Sequence, residues 1–181
     1  MAIVIGIAGG TASGKSTLCE KLEKQLAPLR VQSIHMDTFF KWDDLPKAVS
    51  HLNGKTYDDY NCPDTVNWEA FHQAFDAAVS GEYDVLLVEG LLVLWDEYLK
   101  DKLDLRVFID CSADERIVRR LRRNMARGLS FDEISDFYLD MVRFRHEQYV
   151  EPTKWTADLI VNGSGSTDII CQMLLARCKQ A

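Results

Sequence analysis

The chain reads as an α/β domain whose parallel sheet is covered by helices on both faces, and three observations point there. Runs of strand length recur at 2–8, 31–36, 83–88, 105–110 and 159–161. Between them lie segments with the three-to-four-residue apolar spacing of amphipathic helices. The first run leads into Gly9-Gly10-Thr11-Ala12-Ser13-Gly14-Lys15-Ser16, the pattern G-x-x-x-x-G-K-[ST] of a phosphate-binding loop, which belongs between a strand and a helix. Strands that alternate with helices pair in parallel, because each helix carries the chain back across the sheet.

Ala2 to Ala8 is apolar throughout and fits a strand buried on both faces. Ser16 to Ala27 is the helix behind the loop, ended by Pro28. Val31 to Met36 is the second strand and delivers Asp37 at its carboxyl end. From Thr38 to Asn67 the chain is rich in Asp, Asn, Pro, Lys and aromatics without a sustained period. An irregular excursion over the sheet edge is expected there, and loops of that length are usually functional. Trp68 to Val79 is a helix closed by Gly81, and Tyr83 to Val88 is a buried strand delivering Glu89 and Gly90. A short helix around Trp95 to Lys100 leads to the strand Leu105 to Asp110. Ser112 and Glu115 have the spacing of a capping box for a helix running to about Arg127, where Gly128 breaks it. A second long helix is expected from about Phe131 to Val150, until Pro152. A strand at 159–161, a turn at 162–165 and a helix at 167–179 complete the order.

Of the 181 residues, 47% are apolar, which fits one domain spanning 1–181 with a sizeable core. A net charge of −7 argues against a general binder of nucleic acid or acidic membranes. No apolar run approaches bilayer length, and the N-terminal run reads as a core strand, not a signal peptide. Cys19, Cys62, Cys111, Cys171 and Cys178 are odd in number and lack C-x-x-C spacing, so reduced packing thiols in a cytoplasmic protein are expected. His35, His51, His72 and His146 show no metal-ligand spacing. The expected partner is therefore a small molecule; a homo-oligomer is compatible with the sequence.

The loop implies a nucleoside triphosphate. Backbone N–H groups from Gly9 to Thr17 can wrap phosphate oxygens at a helix N-terminus. Lys15 would neutralise the β- and γ-phosphates, and Ser16 would ligate Mg²⁺. In open α/β sheets ligands bind beyond the carboxyl ends of the strands, which is where the loop, Asp37 and Glu89 fall. A carboxylate beside an acceptor hydroxyl can orient it and take its proton during phosphoryl transfer, a role suited to Asp37. Glu89, emerging from a buried strand, could hold Mg²⁺-bound water or a ligand hydroxyl, which makes Ser16, Asp37 and Glu89 the candidate metal-side groups. Either acid could instead cap a following turn.

Arg116, Arg119, Arg120, Arg122, Arg123 and Arg127 form a stretch without an acid. On a helical projection all but Arg122 share one face, with Ile117, Val118, Leu121 and Met125 opposite. Such a stripe is repulsive unless an anion partners it, so 113–130 is expected to be a lid over ATP that neutralises the moving phosphoryl group and excludes water; a solvated face paired with acids from elsewhere is the alternative. Phe39, Phe40, Tyr57, Asp58, Asp59, Tyr60, Asn61 and Trp68 crowd the excursion 38–67 and could stack a flat base and bind ribose. About half of them are expected to serve packing.

These residues resemble the uridine kinase family, within the group that includes phosphoribulokinase and nicotinamide riboside kinase. The resemblance runs along nearly the whole chain: GIAGGTASGKST at 6–17, MDTFF at 36–40, PD at 63–64, LLVEG at 86–90, the arginine helix with Arg127-Gly128, and EQYVEPTKWTADLIV at 147–161. It implies the P-loop NTPase fold, with a five-stranded parallel sheet, helices on both faces and a mobile lid, and an ATP- and Mg²⁺-dependent kinase of a nucleoside 5′-hydroxyl. By resemblance Asp37 activates that hydroxyl, Glu89 serves the metal and sugar, and Arg120, Arg123 and Arg127 are lid arginines. The acceptor contacts would come from Asp37, Phe40, Tyr57, Asp59, Asn61, Glu89 and Arg123. Three departures stand out. Uridine kinases carry a base-binding β-hairpin where this chain has only Ser80-Gly81-Glu82, Asn61 stands where the ribose-binding aspartate is usual, and Leu129 replaces a basic lid residue. Uridine or cytidine is the first acceptor implied and nicotinamide riboside the second, the latter matching the short connection and Phe39-Phe40-Lys41. Another small-alcohol kinase of the group and a regulatory nucleotide switch are the alternatives, although no N-K-x-D guanine-reading segment is present.

Overall fold

The computed structural model describes residues 2–166 and 168–178. Its main sheet has five parallel strands in the order β2–β5–β1–β6–β7. These are β1 (Ile3–Gly9), β2 (Val31–His35), β5 (Val85–Glu89), β6 (Leu105–Asp110) and β7 (Leu159–Asn162). Alternate side chains divide between two cores. Val4, Ala8, Leu86, Val88 and Phe108 face one, with Phe71 and Phe75 of α2 (Trp68–Val79). Ile5, Ile7, Val85, Leu87, Val107 and Ile109 face the other, with Leu18 and Leu22 of α1 (Lys15–Gln25) and Cys171 and Leu174 of α7 (Asp168–Cys178). Burial on both faces is why these strands read as continuous apolar runs instead of alternating ones. The expected closing helix 167–179 is found as α7; residues 167 and 179 lie outside the described residues.

The excursion is more ordered than its sequence suggests. A 3₁₀ turn at Met36–Phe39 is followed by an antiparallel pair, β3 (Lys47–Val49) with β4 (Thr56–Asp58), and a second 3₁₀ turn at Pro63–Thr65. Strands of three residues are too short to show a period. A short helix, α3 (Glu97–Lys100), precedes β6.

The arginine helix α4 (Ala113–Met125) turns its arginine face to the cleft. Arg116 and Asn124 are its buried residues, while Val118 and Met125 are exposed. The arginines turn toward the body of the protein, where the cleft lies, while Ile117 and Leu121 on the apolar side are half-buried. The expected capping box at Ser112 is absent: its side chain makes no cap hydrogen bond, and Glu115 pairs with Arg119 one turn on. A complete capping box occurs instead at Ser130 and Glu133, opening α5 (Phe131–Phe137). From there the helix continues to Val150 through π turns at Tyr138–Val142 and His146–Val150, flanking α6 (Arg143–Arg145). An i→i+5 turn brings residues five apart toward one side. Asp140 and Arg145 accordingly both reach the excursion, Asp140 accepting from Asn53 and Tyr57 and Arg145 bonding Asp59. The helix ends at Val150, as expected, and Pro152 enters a 3₁₀ turn, Glu151–Thr156, where its missing N–H is tolerated in the first turn.

Candidate active site

Strand register builds the floor of the site. Glu89 lies level with Ile7 on one neighbour and His35 on the other, so β2, β5 and β1 end side by side. Asp37, Glu89 and residues 11–17 of the loop consequently line one cleft of about 730 Å³. Gly14 caps α1 at φ 109°, a left-handed conformation that favours glycine. Gly9 and Gly10 do not line the cleft; they form the back of the loop against Ile109 and Arg116.

Lys15 is buried and donates to Gly10 O at 3.0 Å. Burial lowers the pKa of its ammonium, while Glu89 and Asp37 favour the charged form. Ser16 Oγ donates to Glu89 Oε1 at 3.1 Å, and His35 Nδ1 lies 2.8 Å from the same oxygen. Asp37 opens into the cleft, yet the surrounding walls desolvate its carboxyl and raise its pKa. Lys15 opposes that rise and Glu89 adds to it. A hydroxyl and two carboxylates beside a phosphate site form a hard-oxygen set, and Mg²⁺ is commonly held by one or two carboxylates together with substrate phosphates.

Helix α4 lies over the loop. Arg120 Nη1 donates to Thr11 Oγ1 at 2.9 Å, and Arg119 Nη1 to Gly163 O at 3.0 Å. Arg120, Arg123 and Arg127 line the cleft, and among the described residues no carboxylate forms an ion pair with any of them. Burial, and then the charge of Arg123, pushes the Arg120 pKa down to about 10. Crowded, partly desolvated cations of this kind favour an anion between them.

Phe40, Trp42, Tyr60 and Asn61 form the aromatic and polar part of the lining. Ring centroids stand 5.5 Å apart for Phe40–Trp42 and 5.8 Å for Trp42–Tyr60. Two expected acceptor residues do not line it. Tyr57 donates to Asp140 and packs on Phe137. Asp59 is buried, with Oδ2 bonded by Arg145 and Oδ1 by the Asn61 N–H. Phe39 and Trp68 pack on Phe71, and Asp58 pairs with Lys47. Sequence reasoning missed Trp42 as a lining residue, while Arg119, placed on the arginine face, lines the cleft. Trp42 meets Phe40 through a tight turn in which its N–H donates to Phe40 O at 2.9 Å, and the sequence carries no signal for that turn.

Residues 72–170, more than half of the chain, match the family described as Phosphoribulokinase / Uridine kinase. The uridine kinase of Chloroflexus aggregans is 33% identical over 205 residues, covering 99% of this chain and 95% of that protein. The chain belongs to the phosphoribulokinase/uridine kinase family. The uridine kinase of Clostridium tetani is similar to it at 30% identity over 98% of this chain and 95% of that protein. Among solved structures, TT1252 from Thermus thermophilus superposes with a TM-score of 0.60 at 17% identity, over 99% of this chain and 97% of that one. A Bacillus stearothermophilus protein described as a possible uridine kinase does so at 0.58 and 18%, over 89% of each. Those two likenesses concern the fold alone. As a member of the phosphoribulokinase/uridine kinase family the chain is an ATP-dependent phosphotransferase acting on an alcohol. Among the described residues no helix is long and apolar enough to cross a membrane.

Proposed function

We propose that this enzyme transfers the γ-phosphoryl group of ATP to the 5′-hydroxyl of a ribonucleoside, with uridine or cytidine as the first candidate. The observation that carries this reading is a single cleft that holds the loop, the lid arginines, Asp37, Glu89 and the aromatic cluster of Phe40, Trp42 and Tyr60. A flat base can stack on those rings, and Asn61 can bond the base or ribose.

In the proposed reaction Asp37 orients the acceptor hydroxyl and receives its proton as the oxygen bonds to phosphorus and the bond to the β–γ bridging oxygen breaks. Desolvation makes Asp37 a stronger base than an ordinary carboxylate. Lys15, Arg120, Arg123 and Arg127 neutralise the phosphoryl group as it moves, and residues 11–17 hold the triphosphate. Ser16, Glu89 and Asp37 would hold Mg²⁺, which would supply positive charge to the triphosphate. Tyr57 and Asp59 act one layer back, by fixing the wall that carries Tyr60 and Asn61. The free thiols of Cys19, Cys62, Cys111 and Cys171 suit a reducing, cytoplasmic setting. Nicotinamide riboside is the second candidate, because its cationic ring gains cation–π attraction from the same aromatic cluster.

ADP release from ATP and Mg²⁺, measured with uridine, cytidine, nicotinamide riboside and no acceptor, tests this reading. Stimulation by one nucleoside, lost in Asp37→Asn, is expected. Turnover indifferent to all three sends the assignment to another alcohol.

A further inference from the structure

We infer that Arg116 is a positioning residue for the phosphate loop: it presses an unpaired positive charge against the back of Gly10, and a bound polyphosphate completes that charge from the front. This rests on the reading that the loop takes ATP.

Four observations lead there. Arg116 is 4% exposed, although arginine is seldom buried without a partner. Its Nε donates to Cys111 O at 3.0 Å, but Nη1 is buried with no hydrogen-bond partner, and among the described residues no carboxylate forms an ion pair with it. It stands in the first turn of α4, the end of a helix that disfavours a cation. Finally, the guanidinium fits against Gly10 so closely that a Cβ there would lie 2.6 Å from Nη1 and 2.9 Å from Cζ, with His146 Cε1 at 3.0 Å.

Burying such a charge is costly unless something repays it. His146 adds no second cation beside it: burial, and then the charge of Arg116, pushes its pKa down to about 4, so it is neutral at pH 7. The loop peptide at Gly10 thus sits between two cations, Lys15 on its carbonyl and Arg116 behind its α-carbon. Glu89 and Asp37 face Lys15, but among the described residues no carboxylate pairs with Arg116, so the charge behind the loop is completed only when a polyanion occupies the cleft. Arg116 touches none of the reacting atoms in this arrangement; it acts through the loop.

The test compares Arg116→Lys and Arg116→Met with the parent protein, by calorimetric titration with ATP in the absence of acceptor and by Tm with and without ATP. Arg116→Met should raise the Kd for ATP by about tenfold. It should leave the Tm of the empty protein unchanged or higher, shrink the ATP-induced rise in Tm, and leave the KM of the acceptor unchanged. Arg116→Lys, which keeps the charge, should hold the Kd within about threefold. The inference is overturned if Arg116→Met lowers the empty Tm while keeping the ATP-induced rise, since that is the signature of packing alone. It is equally overturned if Lys and Met weaken ATP by the same factor. A parent that binds no ATP overturns both this and the reading beneath it, whereas a parent that binds ATP and an Arg116→Met protein that binds it equally well overturn this inference only.

Discussion

Replacing Arg145 by methionine strips a buried carboxylate of its cation. Asp59 is 1% exposed, and Arg145 Nε lies 2.7 Å from its Oδ2. Removing one partner of a buried pair costs about 3–5 kcal/mol, because the remaining charge is left uncompensated. The Asn61 N–H still bonds Oδ1 at 2.9 Å, which places this site at the lower end, about 3 kcal/mol. For a domain of this size each kcal/mol moves Tm by about 2–4 °C, so a fall of about 6–12 °C is expected. Scanning calorimetry of Arg145→Met, Asp59→Asn and the double variant measures it. The double variant should regain more than half the loss, since a neutral amide needs no counterion. An Arg145→Met protein within about 2 °C of the parent, or a double variant no better than the single, would refute the claim that this pair anchors the excursion.

Asp37→Asn should cut kcat by about a hundredfold or more while leaving the Kd for ATP nearly intact, as measured by steady-state kinetics and titration. The folded Asp37 carboxyl holds its proton to higher pH than an unfolded one, so its ionisation costs stability as pH rises through that raised pKa. Asp37→Asn should therefore match or exceed the parent's Tm at pH 7 despite its lost activity. The same shift places the acid limb of the kcat–pH profile above the ordinary aspartate range, and Glu89→Gln, by removing a repelling charge, should move that limb to lower pH. Arg123→Ala should lower kcat more than it weakens nucleoside binding; a loss confined to Tm would mark it as structural.

The sheet and the three strand ends were legible because strand runs and the loop pattern are local properties of sequence. Asp37 and Glu89 follow directly from where β2 and β5 must end. Pairings across long separations were not legible. Asp59 looked like a ligand for ribose because nothing in its neighbourhood announces Arg145, 86 positions away, as its partner. What each face of α4 meets was legible only in part. An amphipathic pattern says that two faces differ, but the identity of what each face meets is a tertiary fact. Here a cleft that takes anions draws the arginines inward and leaves Val118 and Met125 in water. The widened turns after α5 depend on buried contacts of Asp140 and Arg145 and have no signature in composition.

The excursion hangs from the helix at 131–150 by Asn53 and Tyr57 on Asp140 and by Asp59 on Arg145, while the phosphate-handling groups stand on the strand ends and α4. If the excursion binds the acceptor, as proposed, then choice of acceptor and transfer of phosphate are separable as units of inheritance. A recombinant that imports the excursion of a relative would change what is phosphorylated without disturbing how. Such a graft would hold only if the matching positions 140 and 145 travelled with it, so the smallest heritable module for acceptor choice is two segments of chain, far apart in sequence and joined in space.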